Sequence, residues 1–179
     1  MIGVLASLFR QNSQRGAVHA AYRGIVERAR EPVFYTDWGV PDTLDGRFEL
    51  LALHAFLVLN RLKRERAASE AFAQLLFDTM FADLDRELRE MGVGDLGVGR
   101  RVKAMAAGFY GRIVAYEKGL ADGAALAAAL RRNLYGTAAP SEAQLARAAS
   151  YVERQAAALA AEPLAALLAG EVGFAAVAP

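Results

Sequence analysis

The chain has 179 residues, enough for one domain with a sizeable core, and 21 Lys and Arg against 20 Asp and Glu leave a net charge of +1. Near-neutrality gives no overall field for nucleic acid, so DNA is not an expected partner, and the absence of cysteine excludes disulfides, thiolate metal sites and cysteine nucleophiles. The composition is 55% hydrophobic, rich in Ala and Leu and poor in β-branched residues, which favours helix over sheet.

In chain order, Met1 to Phe9 is short and apolar, followed by Arg10 and Arg15, with no acid before Glu27. A secretory signal places its positive charge first and a small-residue cleavage site last, and neither is present. Residues 1–14 therefore read as a short amphipathic arm that packs on the domain or touches a membrane surface. Ser13 caps a helix expected from about Arg15 to Arg30, with Val18, Tyr22, Ile25, Val26 and Ala29 on one face, and Pro32 ends it. Val33 to Pro41 is an aromatic loop carrying Phe34, Tyr35 and Trp38. It reads as a lid clamped on the helices, with part of a peptide groove as the alternative.

Asp42, Thr43 and Asp45 supply a cap and negative charge to the next helix start, which runs to about Glu65. Its middle, Leu50 to Leu59, is apolar all round and about half the ~20 residues a bilayer requires, so it reads as the central helix of a bundle. Arg61, Lys63, Arg64 and Arg66 suit that helix's C-terminal end, with an acidic-partner or RNA-facing patch as the alternative.

The organising unit is a helical hairpin. Phe72, Leu76, Met80, Leu84 and Leu88 form the stripe of its first arm, and Val98, Val102, Met105, Phe109 and Tyr116 that of its second. Asp78, Asp83, Asp85, Glu87 and Glu90 make the first arm acidic, while Arg100, Arg101, Lys103, Arg112 and Lys118 make the second basic, so the hairpin is expected to be self-complementary. Beyond it, a helix begins at Asp122 or Gly123 and ends near Gly136, and Ser141 with Gln144 resembles a capping box for a helix running to about Ala161. Pro163 breaks that helix, and residues 170–179 read as a flexible tail. The expectation is an all-α fold, a single compact bundle of six or seven helices with a central helical hairpin, divided into an arm 1–14, a helical domain 15–169 and a tail 170–179.

Few motifs carry chemistry. Gly92-Val93-Gly94-Asp95-Leu96-Gly97 matches the dinucleotide fingerprint in letters, but it follows the acidic end of a helix and no βαβ unit surrounds it. It reads as a helix C-cap at Gly92, with Asp95 capping the onward helix. Asp78, Asp83, Asp85 and Glu87 lack the Glu-x-x-His partners of a di-metal bundle, since His19 and His54 are the only histidines. His54 reads as a satisfied core histidine, with a haem ligand as the alternative. No Ser/His/Asp set can be assembled. No catalytic residue, cofactor or metal is expected, and the protein does not read as an enzyme.

The stretch from Leu76 to Arg112, LFDTMFADLDRELREMGVGDLGVGRRVKAMAAGFYGR, together with PDTLDGRFELLALHAFLVLNRLK from Pro41 to Lys63, closely resembles the ubiquinol–cytochrome c chaperone family. The resemblance covers roughly Ala20 to Tyr135, and the run FD-x-MF-x-D-x-D-x-x-LREMGVGD is long enough to be specific. It implies a chaperone that receives newly made cytochrome b, keeps it competent for assembly and helps it enter the ubiquinol–cytochrome c reductase complex, respiratory complex III. It also implies a factor peripheral to the cytoplasmic face of a bacterial inner membrane, with the ribosome or that membrane's surface as further candidate partners. The short chain without a clear transit peptide points to a bacterial member.

The expected mechanism is hydrophobic capture, in a groove between helices lined by adaptable side chains such as Met80, Met91 and Met105. Partner-binding residues are placed on the hairpin: Asp78, Asp85 and Arg86 on the acidic arm, Asp95 at the turn, Arg100, Arg101, Lys103 and Arg112 on the basic arm, with the aromatics Phe109 and Tyr110. The readings from other classes are an all-helical haem- or quinone-binding protein and an isoprenoid-type enzyme. The latter needs an Asp-rich metal motif on a deep apolar cavity, and the spacing from Asp78 to Asp85 is too loose for one.

Overall fold

The structure is a computed structural model that describes the backbone of residues 2–177 except 93 and 137, and side chains from residue 12 onward except that of Leu96. All regular structure among the described residues is helical: α1 (Ile2–Ala29), α2 (Val33–Thr36), α3 (Leu44–Lys63), α4 (Arg66–Glu90), α5 (Asp95–Ala121), α6 (Gly123–Arg132), α7 (Glu142–Ala161) and α8 (Leu164–Leu168). Six are long, and α2 and α8 are single turns.

The helix ends follow from local chemistry. At the start of α3 the Gly46 N–H donates to Thr43 Oγ1 at 3.1 Å, and at the start of α6 the Ala124 N–H donates to the Asp122 carboxylate at 3.0 Å. Both satisfy donors that a first helical turn leaves without partners. Ser141 and Gln144 form the reciprocal capping box of α7. Gly92 closes α4 with φ of +81°, a left-handed conformation that glycine adopts at no steric cost. Asp95 does not cap α5. It is the helix's first residue, Gly94 holds the cap position, and the Asp95 carboxylate pairs instead with Arg89.

α3 is the central helix. Every residue from Leu50 to Val58 is buried, because α1, α4, α5 and α7 pack around it on all sides. The aromatic segment after Pro32 closes one end as a lid. Phe34 and Trp38 are fully buried, with ring centroids 5.0 Å apart edge to face, and Trp38 lies 5.2 Å from Tyr151 of α7. Such pairs add to the burial that holds the segment in place, whose first part, expected as a loop, is the single helical turn α2.

Two boundaries differ from those expected. α1 runs unbroken from Ile2, so the division between residues 14 and 15 falls inside a helix; whether the side chains of residues 1–11 pack or meet a membrane lies outside the described residues. Residues 170–177, expected as a flexible tail, are seated on the body. The Ala175 N–H donates to Gln155 Oε1 and Gln155 Nε2 donates to the Ala175 carbonyl, both at 2.8 Å, while Arg28 Nη2 donates to the Phe174 carbonyl at 3.3 Å. Gln155 is fully buried on α7, and a buried amide requires partners, which this strap supplies at Ala175.

Candidate functional site

The hairpin of α4 and α5 forms, but its arms do not neutralise each other as expected. On α4, Asp85 accepts from Arg89 Nε at 2.6 Å, Asp78 accepts from Gln74 Nε2 at 2.8 Å, and Arg86 pairs with Asp83. Asp83 also accepts from the Tyr22 hydroxyl of α1 at 2.8 Å, and Glu87 meets Arg30 at 3.0 Å. Burial, then the bond to Asp83, pushes the Tyr22 hydroxyl pKa well up, so it remains a donor. On α5, Arg112 makes a two-pronged pair with Glu49 of α3, and Arg101 lies 3.6 Å from Asp45. The charges of each arm that find partners thus find them mostly on their own helix or on α1 and α3. Asp95 with Arg89 is the one ion pair joining the two arms among the described residues, and it runs against the expected polarity, acid on the basic arm. Arg100 and Lys103 are exposed and form no ion pair among the described residues.

The expected aromatic pair divides. Phe109 is fully buried, packed 6.0 Å from both Phe77 and Phe81, and so is not available to a partner. Tyr110, the next residue, is 59% exposed, and Val114 one turn on is 68% exposed. Beside Tyr110 a cleft of about 360 Å3 opens between α3, α4 and α5, walled by Phe56, Leu59, Ala73, Phe77 and Ile113. Its rim carries two ion pairs, Lys63 with Glu117 at 2.7 Å and Arg66 with Glu70 at 2.9 Å. An apolar floor with a charged rim suits an apolar helix or extended segment. The expected methionine lining is not there. Met80 is buried in the core, Met91 opens on a different cleft near α1, and Met105 faces α3 and α6. The sequence reading missed Val114, although Tyr110 and Val114 stand four residues apart on the charged face of α5, an apolar spacing that core packing does not explain.

The Arg112 pair depends on its neighbour in α5. A Cβ at Gly108 would stand 2.7 Å from Arg112 Nη1, so the absence of a side chain there lets the guanidinium lie back along the helix to Glu49. That hydrogen bond raises the Arg112 pKa further above its usual value, so the guanidinium is charged at any accessible pH.

His54 is fully buried with both ring nitrogens engaged, Nδ1 2.7 Å from the Leu50 carbonyl and Nε2 2.7 Å from the Tyr151 hydroxyl. Nδ1 faces a carbonyl and so carries the proton, and Nε2 accepts from Tyr151, whose own pKa burial pushes up. Burial lowers the His54 pKa to about 4, which keeps the ring neutral. With both nitrogens bonded, neither is presented to a haem iron.

The sequence profile of a family described as ubiquinol-cytochrome C chaperone matches residues 36–175. A Xenopus laevis protein named ubiquinol-cytochrome-c reductase complex assembly factor 1 is 31% identical over 135 residues, 75% of this chain and 68% of that protein. The Homo sapiens protein of that name is 29% identical over 135 residues, and the match spans 45% of its length. A crystal structure described as the Cbp3 homolog from Brucella abortus superposes with a TM-score of 0.83 at 40% identity, covering 97% of both chains.

Proposed function

Because this chain belongs to the ubiquinol–cytochrome c chaperone family, we propose that it binds newly made cytochrome b and assists biogenesis of the ubiquinol–cytochrome c reductase complex. The observation that carries the client reading is the cleft beside Tyr110. A membrane helix outside the bilayer has an apolar stripe to cover, and this cleft offers apolar walls with Tyr110 exposed at its edge, while Val114 stands exposed one turn further along α5. Lys63, Arg66, Glu70 and Glu117 at the rim set the direction in which a polar-ended segment lies. No described helix is long and apolar enough to cross a membrane. On this reading the protein works at the cytoplasmic face of a bacterial inner membrane, and its 40% identity to the Brucella protein favours the bacterial setting.

A photo-crosslinking residue at Tyr110 of the tagged full chain, activated in membranes of its host, tests the reading. Cytochrome b is expected to attach at Tyr110 and not at the exposed Ala143 on α7. No cytochrome b at Tyr110, together with intact complex III in a deletion strain, would mean that the fold serves another client.

A further inference from the structure

A second cavity of about 630 Å3 lies on another face of α5, between the start of α3 and the end of α6. Three arginines line it, Arg101 and Arg112 from α5 and Arg132 from α6, against two carboxylates, Asp45 and Glu49 of α3. Arg101 and Arg112 stand roughly 16 Å apart along their helix at a rise of about 1.5 Å per residue. Their guanidiniums nevertheless meet Asp45 and Glu49, one turn apart on α3, so the two side chains lean towards each other over the cavity.

The three cations differ in how they are held. Arg112 is committed to Glu49, whose side chain is 9% exposed. Arg101 has only the 3.6 Å contact with Asp45, whose side chain is 90% exposed, and an open pair of that kind is weak. Arg132 is exposed and has no carboxylate partner among the described residues. Phe48, Met105, Leu134 and Tyr135 supply apolar wall to the same cavity.

We infer that this cavity binds a phosphomonoester carried on a short apolar body, with Arg101 and Arg132 gripping the phosphate. A phosphomonoester carries close to two negative charges at neutral pH, which suits the unpaired Arg132 and an Arg101 held only by the exposed Asp45. The guanidinium fork pairs with its oxygens in parallel hydrogen bonds. Glu49 keeps Arg112 out of the count, so the site takes up the anion without leaving a buried carboxylate alone. Asp45 is exposed enough to release Arg101 into water at little cost. The site is separate from the cleft beside Tyr110, and neither depends on the other.

The test is an NMR titration of the full chain, following the arginine Nε–H signals and the backbone amides of Ala104, Met105 and residues 132–135. The probes are inorganic phosphate, dihexanoyl phosphatidic acid and dihexanoyl phosphatidylcholine. Phosphate and phosphatidic acid are expected to move the same signals, and phosphatidylcholine not to. Tighter binding of phosphatidic acid than of phosphate would support an apolar body on the phosphate and a lipid headgroup as its source, whereas equal or weaker binding would overturn the apolar body. Replacing both arginines, R101A with R132A, is expected to weaken binding by at least about tenfold, the scale of one strong pair. R64A, at an exposed arginine outside the cavity, is expected to leave binding unchanged. Both replaced arginines are exposed, so an unchanged melting curve of the double variant separates lost binding from lost fold. Equal loss in R64A, signals moving at arginines over the whole surface, or equal binding of phosphatidylcholine would each overturn the proposal.

Discussion

The two flanks of α3 use polar groups in opposite ways. On the side of α7 and the 170–177 strap, His54, Tyr151 and Gln155 are buried and bonded inward, and Phe34, Trp38 and Phe174 pack around them. On the outer face of α5, Tyr110 and Val114 stand in solvent, and Arg100 and Lys103 have no ion pair among the described residues. The first flank converts side chains into stability. The second leaves them uncommitted, which is where a partner gains most by covering them.

Truncating one aromatic on each flank gives the largest expected contrast. Trp38→Ala is expected to cost about 3–5 kcal/mol in urea unfolding, the usual range for emptying a buried aromatic site. The Trp38 indole N–H finds no acceptor among the described residues, so that loss is packing alone. Tyr110→Ala is expected to change stability by less than about 0.5 kcal/mol, as exposed substitutions do, while lowering client capture. Equal stability losses in the two variants would break the comparison.

The next effect in size belongs to His54. Its pKa is near 6.5 when unfolded and about 4 in the fold, so as pH falls the unfolded chain takes up the proton first. Its contribution is full above pH 6.5, declines as pH falls towards 4, and totals on the order of 3 kcal/mol. Urea unfolding across that window should show this slope, and His54→Gln should flatten it. The smallest of the three is Gln155→Ala, expected to cost about 1–2 kcal/mol for two buried bonds. Faster hydrogen exchange at Ala175 should accompany it. If exchange there is unchanged, the strap is held by Phe174 alone.

What could be read in the sequence was whatever is decided within a few residues. Thr43, Asp122 and the Ser141–Gln144 pair announce helix starts because their acceptors lie two or three residues from the donors they serve. The apolar run from Leu50 announces a helix covered on all sides, and the aromatics after Pro32 announce a segment that must be buried. The charge partners of the hairpin were not legible. Arg112 meets Glu49 from 63 residues away and Tyr22 meets Asp83 from 61, and helical periodicity says which residues share a face without saying what stands opposite. The methionines failed for the same reason: Met80 is on the stripe, and the stripe is core. Of the aromatics at 109 and 110, only the depth of α5 in the bundle decides which one is reachable.

Gly108 gives the fold a means of adjusting charge without altering any charged residue. A methyl group there would collide with the tip of Arg112, a long and mobile side chain, rather than with backbone. The helix can accept the methyl by a shift of the guanidinium, which loosens the grip of its Nε and Nη2 on Glu49 beside the neighbouring cavity. Alanine at that single position therefore weakens an internal neutral pair without removing either of its charges. A family that varied between glycine and alanine there would vary in what its members attract while keeping one architecture.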